Sequence, residues 1–286
     1  MIQHIIGLIG IIIGTATDVK TREVPDWVNY GMIASGIGFA LFETFLQGSW
    51  LIILGSLAGV LAGYLLGALM YYTGQWGGGD AKMMMGLGAL IGLPVTLAGW
   101  ERAPFLTLFL LLTIVVGAVY GLVWMVFLMV AERKLFWPRF IARLHSKQLV
   151  RLRLAILILA VLLGGADFLF QGVVTLMILF IAALAYVTFY LALAVRSVEE
   201  ACFVKKISVD KLVEGDWIVG EVRHKGEVIV PARNPGLTKK QLELLKKLGI
   251  KAVTVKEGIP FVPSFLIAYL AAWYWWTAGW PIIFWL

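Results

Sequence analysis

Charge and cysteine are scarce in this chain, and each scarcity removes a class of protein. Only 14% of its 286 residues are charged, against about one quarter in soluble domains, which argues against a freely soluble globular fold. The single cysteine, Cys202, rules out an intramolecular disulfide and a cysteine-cluster zinc site. The three histidines, His4, His145 and His224, are scattered without ligand spacing. They read as surface or packing residues, so neither a metal nor an organic cofactor is expected. What the chain has instead is apolar length: 61% of positions are hydrophobic and the mean hydropathy is +0.91.

Runs of about 17 to 25 apolar residues cross a bilayer. Eight are read here, at about 2 to 17, 28 to 46, 50 to 72, 80 to 99, 104 to 130, 154 to 169, 172 to 195 and 260 to 282. The expected fold is an all-α polytopic membrane protein of about eight transmembrane helices, six at minimum, with a small α+β cytosolic domain. Residues 1–130 would form the membrane core, 131–153 a basic interfacial segment, 154–195 additional helices, 196–259 the cytosolic domain and 260–286 a last helix. Asp167 and Gln171 interrupt the stretch from Leu154 to Val195, which is too long for one helix. The first run holds Gln3 and His4 but no basic n-region or small-residue cleavage site, so it is expected to be retained as a span.

Cytoplasmic connections carry the excess of Lys and Arg. With the N-terminus outside, Lys20, Arg22, Lys82, seven basic residues between 131 and 153 and thirteen between 196 and 259 fall on the inner side, leaving only Arg102 outside. The +7 net charge is therefore explained by topology and lipid headgroups, and no nucleic-acid partner is expected. Glu132 to Arg153, basic with interleaved apolar residues, reads as an interfacial helix held to anionic lipid. Between 196 and 259, Phe203 to Val209, Trp217 to Val222 and Glu227 to Val230 are β-rich, and Thr238 with Gln241 forms a capping box for a helix that Gly249 would end.

Asp18 and Asp80 each lie where an apolar run meets a polar stretch, the second within Gly77-Gly78-Gly79-Asp80. A carboxylate at the margin of a span is costly to hold and marks a functional site by default. Two spans separate the residues, so both come to the cytoplasmic face. Two close carboxyls can share one proton, one serving as base and the other as acid, as peptide hydrolysis requires. The glycines would permit unusual backbone angles and close approach of an extended peptide. The plainer alternatives stay open: Asp80 as N-cap of the fourth span, and Asp18 as a helix end solvated with Lys20 and Arg22.

Asp18 opening Asp-Val-Lys-Thr-Arg-Glu-Val-Pro-Asp-Trp, with Gly77-x-Gly79-Asp80-Ala81-Lys82 further on, resembles the type IV prepilin peptidases and archaeal preflagellin peptidases, the GxGD class of aspartic membrane proteases. Pro25, seven residues after Asp18, and Lys82 sharpen the match. Pro231 to Phe265 looks similar to the cytosolic domain of archaeal members. The resemblance implies cleavage of the short basic leader of pilin-like or archaellin precursors at the cytoplasmic face of the cell membrane. It implies Asp18 and Asp80 as catalytic aspartates, Gly77 and Gly79 as shaping the loop, and Lys82 as an auxiliary residue. Bacterial members commonly carry a four-cysteine segment and a second, N-methylating activity; with one cysteine, methylation is not expected and an archaeal enzyme is favoured. In presenilin-type proteases the other aspartate belongs to the helix just before the GxGD helix, whereas Asp18 lies three spans upstream. A proton-coupled transporter using the aspartates is the alternative, although the spans hold few interior ionisable groups to relay a proton. A mere anchor for residues 196–259 would leave the glycines before Asp80 unexplained.

Overall fold

Apolar length is converted into helices because a backbone in lipid must satisfy its own hydrogen bonds. The computed structural model describes residues 2–96, 105–170, 174–232 and 236–278. Expectations resting on residues 97–99, Arg102, residue 104 and residues 171–173, 233–235 and 279–286 lie outside them. In chain order the elements are α1 (Ile2–Thr21), α2 (Asp26–Gln47), α3 (Leu51–Tyr72), α4 (Gly78–Ile91), α5 (Phe105–Ala131), α6 (Arg133–Leu144), α7 (Lys147–Phe170), α8 (Thr175–Val198), β1 (Val204–Ser208), β2 (Trp217–Ile218), β3 (Val222–His224), β4 (Glu227–Val230), α9 (Lys239–Lys247), β5 (Ala252–Lys256) and α10 (Val262–Ala278). The protein is a polytopic helical membrane protein. Among the described residues, five helices are long and apolar enough to cross a bilayer: Ile2–Thr21, Leu51–Tyr72, Phe105–Ala131, Lys147–Asp167 and Thr175–Phe203.

The fourth expected span differs most from its reading as 80 to 99. Gly92, at φ 73°, and Pro94 stop α4 after 14 residues, about 21 Å of helix, well short of a hydrocarbon core of about 30 Å. Instead α4 sits inside the bundle, with Met83, Met84, Leu87 and Leu90 all buried. Small residues let it do so. In α3, Ser56, Gly59, Gly63 and Gly67 form a buried stripe. A β-carbon at Gly59 would collide with the Gly88 carbonyl oxygen and one at Gly63 with that of Met84. Such close backbone approach is how helices associate where lipid supplies no hydrophobic drive. The frayed end of α4 is satisfied by α3, since Leu93 N–H donates to the Gly55 carbonyl at 2.8 Å and Ser56 Oγ to the Ala89 carbonyl at 2.8 Å.

The chain divides into two units. The first comprises residues 1–123, 210–250 and 258–286. In it α1 packs on α10 through His4, whose Nδ1 lies 3.0 Å from Tyr269 Oη, while the Tyr269 hydroxyl donates to the His4 carbonyl at 3.1 Å. Phe105 and Trp273 meet the His4 ring edge-on at 4.8 and 4.9 Å between centroids, so this histidine is a packing residue as expected. The same unit holds the β3–β4 hairpin, turned by Lys225 and Gly226, both at positive φ. It also holds α9, where the expected capping box forms: Thr238 N–H donates to Gln241 Oε1 at 2.9 Å and Gln241 N–H to Thr238 Oγ1 at 3.3 Å. Gly249, at φ 65°, follows the end of that helix.

The second unit comprises residues 124–209 and 251–257. The stretch from Leu154 to Val195 does resolve into two helices, α7 and α8. Asp167 caps the start of α8, accepting from Val174 N–H at 3.0 Å and Thr175 Oγ1 at 2.7 Å. The basic helix α6 is tied down by an ion pair between Arg143 and Glu200. Strands β1 and β5 pair antiparallel from Val204 opposite Lys256 to Ser208 opposite Ala252. The β-rich stretch expected over Trp217 to Val222 is split in the first unit by Gly220, at φ 83°, into β2 and β3.

Candidate active site

Both aspartates are buried, and both belong to the first unit. Asp18 faces inward from the last turn of α1, on the same stripe as Gly7, Gly10, Ile11 and Gly14. Its Oδ2 accepts the Val262 N–H at 2.9 Å. Val262 opens α10, so Asp18 caps, from 244 residues away, the N-terminal amide end of another helix, where a carboxylate is favourably placed. The alternative in which Asp18 is solvated with Lys20 and Arg22 is thereby corrected. After Asp18 the chain leaves α1 through Arg22, a non-glycine residue at φ 62°, whose N–H bonds back to the Asp18 carbonyl at 2.9 Å. Pro25 then sits at the N-cap of α2, its carbonyl accepting from Val28 N–H at 3.0 Å.

Asp80 lies in the first turn of α4, and its Oδ2 accepts the Gly77 N–H at 2.9 Å. The carboxyl thus reaches back from the third helical position to the N-cap residue, so Asp80 is not itself the N-cap. The two carboxyls are close enough to interact electrostatically. Gly77, Gly78 and Gly79 do not adopt the unusual angles expected of them: none has positive φ, and Gly77 is extended at φ −74°, ψ 165°. Close approach is what Gly79 supplies. A β-carbon at Gly79 would stand 3.2 Å from Val24 Cβ and 3.4 Å from Val24 N, so the glycine lets the loop press against the α1–α2 connection.

Lys82 is committed to an ion pair with Asp26, 2.7 Å from Oδ1, and lies 5.5 Å from the centre of the Tyr30 ring. It ties the start of α4 to the start of α2. Three contributors escaped the sequence reading. Trp76, buried just before the glycines, packs on Phe265 and Phe261 at 5.0 and 5.7 Å and so joins the Asp80 loop to α10. The Val262 amide carries no side-chain signal at all. Asn29, wholly buried, donates from Nδ2 to the Gly79 carbonyl at 3.3 Å; an uncompensated amide inside an apolar run was its one available sign. Glu23, outside the spans, has its carboxyl raised above the usual glutamate range by burial and then by the nearby charge of Asp216.

Fold and site together define a polytopic membrane protein with a buried aspartate pair at one end of its helices. Residues 5–122 match the type IV leader peptidase family. It is 36% identical over 91 residues to a preflagellin peptidase of Methanococcus maripaludis, covering 32% of this chain and 39% of that protein. A preflagellin peptidase of Methanocaldococcus jannaschii is 38% identical over 91 residues, covering 32% and 38% respectively. A prepilin leader peptidase/N-methyltransferase of Pectobacterium carotovorum is 34% identical over 113 residues, covering 38% and 37%. The matched segment thus spans about two fifths of the curated relatives' length.

Proposed function

We propose that this protein is a membrane aspartic endopeptidase that removes the short basic leader of pilin-like or archaellin precursors at the cytoplasmic face of the cell membrane. The observation that carries the reading is the burial of Asp18 and Asp80 together in one unit, on a segment that matches a leader peptidase family. One carboxylate draws a proton from water as the oxygen attacks the scissile carbonyl, and the protonated partner gives its proton to the carbonyl oxygen. The resulting tetrahedral diol collapses as the C–N bond breaks: one hydroxyl returns its proton to the partner, and the leaving nitrogen takes the proton that the first carboxyl drew from water. The two groups titrate as a unit. Water reaches them because both lie where helices end rather than at mid-span.

Glu23, together with the Asp18–Asp80 pair, draws the basic leader to the site, whereas Asp26 already has Lys82 as its partner. The transporter alternative gains nothing from the fold, since Asp167 is spent on capping α8. The test is incubation of membranes containing the protein with a leader-bearing precursor, followed by sequencing of the new N-terminus. A cut between the basic leader and the apolar helix supports the reading, and an intact precursor or a cut elsewhere refutes it.

A further inference from the structure

Asn29 stands out from the buried groups because half of its carboxamide has no partner. The residue is 0% exposed, its Nδ2 holds the Gly79 carbonyl at 3.3 Å, and its Oδ1 is buried without a hydrogen bond. The reverse orientation of the amide would set oxygen against the Gly79 oxygen, so the orientation with the bond is the one the surroundings select. A buried acceptor left unpaired destabilises a fold, whereas an apolar group of the same shape would not. Stability alone would therefore favour leucine here. What the asparagine does provide is a grip on the carbonyl of the residue immediately before Asp80, exerted from α2, which packs along α4 at Met32 against Gly86 and Gly36 against Ala89.

We infer that Asn29 is a positioning residue of the proposed peptidase, holding the Gly79–Asp80 turn through the Gly79 carbonyl at the expense of stability. The inference rests on the peptidase reading. Because Asn29 acts on the turn and not on the precursor, its loss lowers kcat and leaves KM in place. The experiment compares full-length wild type with Asn29→Leu and Asn29→Asp in precursor cleavage and thermal unfolding. Asn29→Leu is expected to melt at or above the wild-type temperature while kcat falls about 10- to 100-fold, the scale of a displaced catalytic group, with KM within about twofold. Asn29→Asp, whose carboxyl can donate to Gly79 only while it is protonated, is expected to lose kcat likewise at pH values where it ionises. Unchanged kcat in Asn29→Leu, or a loss matched by a fall in melting temperature, overturns the inference. Should Asn29→Leu fail to accumulate, Asn29→Ala takes its place with the same criteria, and failure of both to accumulate assigns Asn29 a structural role and overturns it as well. An inert wild type would instead defeat the peptidase reading, so the two failures are told apart.

Discussion

The three glycines before Asp80 are not equivalent, and their differences can be worked from the contacts that a methyl group would make. At Gly78 the nearest atom to an added β-carbon is Tyr71 Cε2, at 3.9 Å, an ordinary contact. At Gly79 it is Val24 Cβ at 3.2 Å, with Val24 N at 3.4 Å, so the turn must retreat by a few tenths of an ångström. Both residues lie in the first turn of α4, where alanine gains up to about 1 kcal/mol over glycine in helix propensity. At Gly79 this offsets part of an overpacking cost of about 1–3 kcal/mol, which leaves the protein folded and puts the larger effect on activity. If a 1 Å misplacement costs about 100-fold, a shift of a few tenths costs roughly 2- to 10-fold. Gly78→Ala is therefore expected to cleave precursor at the wild-type rate, Gly79→Ala at one half to one tenth of it, and Gly79→Leu not measurably. Initial rates in membranes, normalised to protein by immunoblot, decide this. Equal losses in Gly78→Ala and Gly79→Ala, or full activity in Gly79→Leu, would refute the reasoning.

Two further predictions concern the charged groups around the site. The Asp26–Lys82 pair is substantially exposed, with side chains 59% and 36% accessible, so Asp26→Asn or Lys82→Met should each cost no more than about 1 kcal/mol of stability. If the pair acts on cleavage by tying α2 to α4, the two losses in rate are equal and the double variant is no worse than either; additive losses would show independent roles. Glu23 is raised by burial and by Asp216, so the folded state holds its proton more tightly than the unfolded state does, and stability falls as pH rises through and above the usual glutamate range. Glu23→Gln should melt like wild type below that range and higher above it, while binding a basic leader peptide more weakly at neutral pH; unchanged affinity would remove Glu23 from leader binding.

What could be read from the sequence was whatever is local. The margins of the apolar runs gave Asp18 and Asp80, because a carboxylate there is conspicuous whatever the tertiary fold. The Thr238–Gln241 box formed because its partners lie three residues apart. Asp167 and the break between α7 and α8 followed from chain length. The shortness of α4 was hidden because hydropathy continues past Gly92, and only the packing of α3 and α2 around it explains why it need not span. The Val262 amide and the hold of Asn29 on Gly79 are tertiary, joining positions 244 and 50 residues apart, beyond the reach of any periodicity. Of the two properties expected of the glycines, unusual φ is not used, and the close approach that the structure does use is that of Gly79 to Val24 in the same chain.

Asparagine at positions 18 and 80 tests the central claim most directly. An Asn side chain keeps an oxygen that can accept from Val262 N–H or Gly77 N–H, so the capping of α10 and of the α4 turn survives while the titratable acid is lost. Measured on a leader-bearing precursor, Asp18→Asn and Asp80→Asn are each expected to accumulate in the membrane and to lower the cleavage rate by at least about 10²- to 10⁴-fold, the scale of general acid–base catalysis. Cleavage near the wild-type rate in either variant would mean that the carboxyl there serves only to cap a helix, and would contradict the account.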